Sequence, residues 1–374
     1  MNTEVLFNSL SEIGVDFYTG VPDSQLKNAC NYMENNYSPL GKNWIVPNEG
    51  TAVAAATGYY LATGRIPCVY MQNSGIGNAV NPICSLTSPD VYAVPMVFLI
   101  GWRGEPGVKD EPQHVFQGKI TDSMMDVLDI PYIIVDKEMS DDDFAEQFSE
   151  MAKHLQSGKS IAILLKKGSL SKVAEAVHEN PYSVVRESAI EEILQSVNNG
   201  IFVSSTGKIS REVFEIREKN GQGHEKDFLT VGSMGHCSTI ALAIAMEKPE
   251  RNVVCIDGDG ALLMHMGAMA MAGSEEPKHF IHILLDNGAH ETVGGSPTIS
   301  QDIDFCAVAK ACGYVSVIDI NDLEQIKPAV SDCLKQNGAC FIRIRVALGS
   351  REDLGRPTNT PLQNKEDFME YLRK

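Results

Sequence analysis

Residues 253–298, VVCIDGDGALLMHMGAMAMAGSEEPKHFIHILLDNGAHETVGGSPT, limit what this chain can fold into more than any other stretch. A short apolar run from Val253 to Ile256 ends abruptly at Asp257-Gly258-Asp259-Gly260. Residues 262–272 are apolar with good helix formers, and residues 280–285 form a second buried-strand candidate. Strand, glycine turn, helix and strand make a βαβ unit, whose first turn offers backbone N–H groups and a helix N-terminus to a phosphate. A carboxylate inside such a turn would repel that phosphate. Asp259, between Gly258 and Gly260, therefore implies a cation lying between acid and phosphate. Mg²⁺ takes hard oxygen ligands in octahedral array, usually one or two side chains together with phosphate oxygens and water. Asp286-Asn287 closes the next parallel strand and falls beside the first turn, so Asn287 supplies a second oxygen. A backbone carbonyl of the following loop, Ala289, supplies a third. The methionines at 264, 266, 269 and 271 read as core packing, and His265 as a packed helix residue rather than a ligand.

Strand–helix alternation extends in both directions from this unit. In the first half it predicts helices over 2–13, 25–36 (capped by Ser24), 51–63 and 140–156. Strands are expected at 44–46, 67–71, 94–100, 132–135 and 161–165, with a glycine-rich strand-to-helix turn at 72–79. Residues 101–118, GWRGEPGVKDEPQHVFQG, read as a polar loop too long for a plain connector, hence functional. Residues 1–166 thus make one α/β domain with a mostly parallel sheet, residues 167–186 a polar linker, and residues 187–374 a second α/β domain. The second half predicts helices at 187–198, 209–218, through 246, 301–312, 321–336 and near 365–373. Its strands fall at 201–204, 228–231, 315–318 and 341–346, with turns at 205–207 and 232–236.

A net charge of −18 argues against nucleic acid and anionic membrane as partners. The start, MNTEVLFNSL, has neither a basic nor an apolar leader region, and no stretch is long enough to span a bilayer. The nine cysteines are scattered with no C-x-x-C pair, as expected of reduced thiols in a cytoplasmic protein. An anionic substrate would need a local basic island in so acidic a chain. Arg103, Lys109 and His114, within 101–118, are the candidates: an arginine fork suits a dianion, and imidazole suits acid–base work. The bland alternatives are solvated loop charges and a surface histidine.

GDG after a buried strand, with an asparagine about 28 positions later, resembles the cofactor motif of the thiamine diphosphate enzymes. The resemblance implies two α/β domains, one binding the cofactor's pyrimidine and the next its diphosphate with Mg²⁺. It implies that Gly258, Asp259, Gly260, Ala261 and Asn287, with Thr206 and Gly207 of the preceding glycine turn, bind cofactor. Asp259, Asn287 and Ala289 would hold the metal. Glu49 falls where a glutamate activates the pyrimidine ring; its alternative is a carboxylate favoured by a helix N-terminus. The Gly232 carbonyl would accept from the pyrimidine amino group, and Met234 would wedge between the cofactor rings, or else simply pack in the core. This family geometry sets the glutamate across a subunit interface from the diphosphate, so a homodimer or larger homo-oligomer is implied.

TGVPDS (19–24), NEG (48–50), NSGIGN (73–78), GWRG (101–104), DEPQH (110–114), GSMGH (232–236) and NGAH (287–290) narrow the resemblance to the phosphonopyruvate decarboxylases, with the sulfopyruvate decarboxylases as near relatives. It implies decarboxylation of a small anionic 2-keto acid, 3-phosphonopyruvate, in phosphonate biosynthesis. Asn73 or Ser74 would bond the substrate carboxylate, and His290 is a second acid–base candidate beside a structural hydrogen-bonding role. One departure, Asp286 in place of a second asparagine, is expected to matter for neither cofactor nor fold. Sulfopyruvate decarboxylation and a non-catalytic cofactor-binding subunit remain as alternatives. A Rossmann dehydrogenase is disfavoured by the acid within GDG.

Overall fold

A computed structural model describes residues 1–374 as two compact units. The first comprises Met1–His178 with Val293–Pro297, and the second Glu179–Thr292 with Thr298–Lys374. Each is built on a six-stranded sheet whose paired strands all run parallel. The first sheet contains β1 (Tyr18–Gly20), β2 (Asn43–Ile45), β3 (Cys68–Gln72), β4 (Val97–Gly101), β5 (Tyr132–Val135) and β6 (Ile161–Leu165), in the order β2-β1-β3-β4-β6-β5. The second contains β7 (Ile201–Ser204), β8 (Asp227–Leu229), β9 (Val253–Gly258), β10 (His279–Asp286), β11 (Ser316–Ile320) and β12 (Gly338–Arg345), ordered β11-β12-β10-β9-β7-β8. Central strands such as β4, β6 and β9 are buried almost throughout, as continuous apolar runs demand when helices cover both faces. Two apolar clusters flank each sheet, one per face.

Several expected elements shift, each for a local reason. Ser24 caps no helix: the helix Lys27–Asn36 starts later, Asp23 accepts the Gln25 N–H, and Ser24 Oγ accepts from Arg103. The alanine-rich helix begins at Glu49, because Asn48 Oδ1 takes the Gly50 N–H at 2.8 Å. The loop expected over 101–118 is shorter, for a helix occupies Pro112–Val127. Proline is at home in a first helical turn, and Gly118 is there because a Cβ would meet Gly104 O at 1.8 Å. The helix expected over 262–272 breaks into Asp259–Met264 and Ala268–Ser274. That expected over 301–312 becomes a 3₁₀ turn, Ile299–Asp302, and the helix Phe305–Ala311. Residues 167–178 pack as part of the first unit, with Thr3 Oγ1 donating to Ser171 O and Asn28 to Leu170 O.

Asp286, at the end of β10, is a hub of the second unit, contrary to the expectation that this acid is neutral for the fold. Its Oδ2 accepts from Arg343 Nε at 2.8 Å and from Nη2, and its Oδ1 from Ser300 Oγ at 2.7 Å and Gln301 Nε2 at 3.2 Å. Both Asp286 and Arg343 are buried. Arg343→Leu strands a buried carboxylate and should cost about 3–5 kcal/mol, read as a lower denaturation midpoint. Pairing it with Asp286→Leu should recover much of that loss.

Candidate functional site

In the first unit, candidate residues follow the C-terminal ends of β2, β3 and β4, the usual location for chemistry in open parallel sheets. Glu49 opens its helix, is 4% exposed, and lies against the 73–78 turn. Its Oε2 accepts from Asn78 Nδ2 at 2.8 Å. A Cβ on Gly75 would lie 2.3 Å from Glu49 Oε1, so this position admits only glycine while Glu49 keeps its place. Burial raises the Glu49 pKa above the ordinary carboxylate range, against the pull of the Asn78 bond. A carboxyl held this way is able to share a proton with a ring nitrogen.

Asn73 is 1% exposed and turned inward. Its amide nitrogen donates to Arg103 O and Thr121 Oγ1, each at 2.8 Å, and its oxygen accepts the Arg103 N–H, so it brackets the 102–111 loop. Ser74 is exposed and donates to Gln72 Oε1. Arg103 does not present an open fork: its guanidinium makes a bidentate pair with Asp110 and donates to Ser24 Oγ at 2.9 Å. Although burial works against it, that pair and the N–H groups of Glu111 and Gly104 hold Asp110 well below the usual range. Lys109 is exposed on the same loop. His114 sits in the first turn of the helix Pro112–Val127 with Nδ1 buried and unpartnered; burial, then Arg103, lowers it to about 4.

In the second unit the cofactor candidates converge. Gly232 N donates to Thr206 Oγ1 at 3.1 Å, joining the two glycine turns. The 232–236 loop uses left-handed backbone at Gly232, Ser233 and Gly235; for Ser233, at φ 48°, that conformation carries strain, as functional loops often do. A Cβ on Gly260 would meet His290 Nδ1 at 2.9 Å and Met234 Cε at 3.3 Å, so the second GDG glycine lets Met234 and His290 close on the turn. Burial lowers His290 to about 4. Asp259 opens the helix Asp259–Met264, directly after Gly258 and ahead of Gly260 and Ala261. It is 3% exposed, and burial together with the nearby Asp286 charge pushes it up to about 7. Thr298 donates to its Oδ2 at 2.5 Å. Asp286 is already paired with Arg343, so the charge of Asp259 is the one that a bound cation would balance. Asn287 offers a neutral oxygen beside them, and its Oδ1 accepts the Ala289 N–H at 3.0 Å. The donor set, oxygens throughout, fits Mg²⁺.

Glu291 and Thr298 carried no assignment from the sequence, and Asn78 and Asp110 stood within NSGIGN and DEPQH without a partner named. Glu291 had a weak signal, an acid four positions beyond Asn287; the other partnerships join residues distant in sequence or buried in a loop, where spacing says nothing.

Comparison with known proteins bears on both halves. Residues 2–125 match the thiamine pyrophosphate enzyme N-terminal TPP binding domain, and residues 205–344 the corresponding C-terminal TPP binding domain. A phosphonopyruvate decarboxylase of Streptomyces viridochromogenes is 33% identical, over 98% of this chain and 94% of the relative. One of Streptomyces hygroscopicus is 32% identical over 97% and 92% respectively. A sulfopyruvate decarboxylase of Methanosarcina acetivorans is 25% identical over 99% and 97%.

His114 binds its proton less well folded than unfolded, since its pKa falls from 6.5 to about 4. Its contribution to stability is complete above the unfolded value and is lost as pH falls from 6.5 through about 4. His114→Gln should therefore flatten the drop in melting temperature between about pH 7 and about pH 4. An unchanged slope would assign that drop to other groups.

Proposed function

The chain belongs to the phosphonopyruvate decarboxylase family of thiamine pyrophosphate enzymes, and we propose that it decarboxylates 3-phosphonopyruvate to phosphonoacetaldehyde and CO₂. The observation that carries this reading is full-length likeness to two such enzymes, in a chain that holds both Glu49 and the GDG–N loop. Bound thiamine diphosphate supplies a carbon nucleophile for the keto group and an electron sink for the pair left by CO₂.

The remaining work falls to the protein's own residues. Glu49, buried and braced by Asn78 and Gly75, is assigned the proton exchange with the pyrimidine ring nitrogen. Gly232 and Met234 are assigned to orient the ring system. The N–H groups of the Thr206-Gly207 and Gly258–Ala261 turns are assigned to the diphosphate, and Asp259, Asn287 and the Ala289 carbonyl to Mg²⁺. Arg103 is assigned to the phosphonate, which would compete with Asp110 for the same guanidinium fork; Lys109 adds charge nearby. Ser74, exposed at its turn, is better placed than inward-facing Asn73 to meet a substrate carboxylate. His114 and His290, both neutral at pH 7, suit proton acceptance or hydrogen bonding more than donation from an imidazolium. Such an enzyme would work in the cytoplasm as a homodimer or larger homo-oligomer with the site at the subunit interface. Its nine cysteines are unpaired, and no helix is long and apolar enough to cross a membrane.

The test is CO₂ release with thiamine diphosphate and Mg²⁺, offering phosphonopyruvate, sulfopyruvate and pyruvate separately. Faster turnover of phosphonopyruvate is expected; preference for sulfopyruvate would overturn the substrate assignment alone. Glu49→Gln should abolish turnover while leaving cofactor affinity nearly unchanged. Loss of cofactor binding instead would refute its proton-exchange role.

A further inference from the structure

We propose that Glu291 is the positioning residue of the cation-binding loop, orienting the Asn287 amide and tying the loop to the Thr206-Gly207-Lys208 turn. The inference rests on the reading of Asp259, Asn287 and Ala289 as metal ligands. A carboxamide has an oxygen face and a nitrogen face, and a hard divalent cation accepts only the oxygen. Which face is presented depends on what holds the other. Asn287 Nδ2 donates to Glu291 Oε2 at 2.9 Å, which sets the nitrogen toward Glu291 and keeps Oδ1 on the opposite side of the amide.

Glu291 is itself fixed. Its carboxylate accepts from Arg186 Nη1 and, at 2.7 Å, from Lys208 Nζ. Arg186 is 5% exposed and donates through Nε and Nη2 to Glu212 Oε2 and Oε1, each at 2.8 Å, so it cannot swing away from this corner without stranding a buried acid. Burial works against the Glu291 charge, but Arg186 and Lys208 hold its pKa below the ordinary range, so it stays an acceptor. Lys208 is the first residue of the helix Lys208–Lys219, immediately after the Thr206-Gly207 turn. A Cβ on Gly207 would come within 3.0 Å of Thr292 Oγ1, a second close approach between that turn and the same loop. One carboxylate thus sets the asparagine on the metal side and the glycine turn on the phosphate side.

The test titrates Mn²⁺ into the full-length protein with saturating thiamine diphosphate, reading free Mn²⁺ by electron paramagnetic resonance. Glu291→Ala should raise the Mn²⁺ dissociation constant about 10- to 100-fold, the range for residues that orient a ligand. Asn287→Ala should lose at least as much, and the double variant no more than Asn287→Ala alone. That non-additivity is the mark of action through Asn287. Losses that add, or a Glu291→Ala affinity equal to wild type, would overturn the proposal. Should Glu291→Ala fail to fold, Glu291→Gln keeps the volume and one acceptor oxygen but loses the charge on Arg186 and Lys208. The same cycle with it should show a smaller loss, again non-additive with Asn287→Ala; an additive loss would overturn the proposal equally. Wild-type protein that takes up no Mn²⁺ would sink the cofactor reading itself, an outcome distinct from a variant matching a wild type that binds.

Discussion

Two arginine–carboxylate pairs, one buried and one partly buried, hold the loop that carries Asn287 in the second unit. Asp286 with Arg343 stands at its start, and Glu291 with Arg186 at its end. A buried charge without its partner costs several kcal/mol, so each pair is stable in one arrangement and strongly disfavoured in others. Between them lie Asn287, Gly288, Ala289 and His290, which have little apolar surface to fix their shape. Polar anchors do there what packing does in the core. They also leave Asp286 near Asp259, whose carboxyl is pushed upward by burial first and by that neighbouring charge second.

The first unit uses a different device for the same end. Glu49 is placed by a helix start, walled by a glycine and braced by one amide. Burial shifts its proton affinity, while the Asn48 cap fixes its position along the chain. Around it, polar side chains on the strand ends satisfy one another. Gln72 donates to Asp23, Ser74 to Gln72, Asn73 to the Arg103 carbonyl, and Arg103 to Asp110. That lattice gives the 102–111 loop a defined shape without an apolar core of its own. It also means that an anion reaching Arg103 meets a guanidinium already engaged.

The sequence made the architecture legible because its signals are local. Continuous apolar runs mark strands buried on both faces, and alternation with helices forces a parallel sheet in each unit. The GDG turn and Asn287 stood out because a glycine turn containing an acid has few uses, and the fold places them at the C-terminal ends of the paired strands β9 and β10. The helix Pro112–Val127 was less so, since its proline and glycine resemble loop residues; the glycine there answers to the backbone of Gly104, a contact that local spacing does not reveal. The break at 265–267 falls on His265 and Gly267, a polar residue and a poor helix former set within an otherwise apolar run.

By itself the sequence determined the fold class, the division into two α/β units and the place of the GDG turn on the second. These follow from residue type and spacing along one chain segment. Tertiary structure decided which way the functional groups face. It set Arg103 on Asp110, turned Asn73 inward, made Asp286 a hub and bound Asn287 to Glu291. Each of these is a choice among hydrogen-bonding partners, made by the neighbours that folding delivers and by the cost of leaving a buried polar group unpaired.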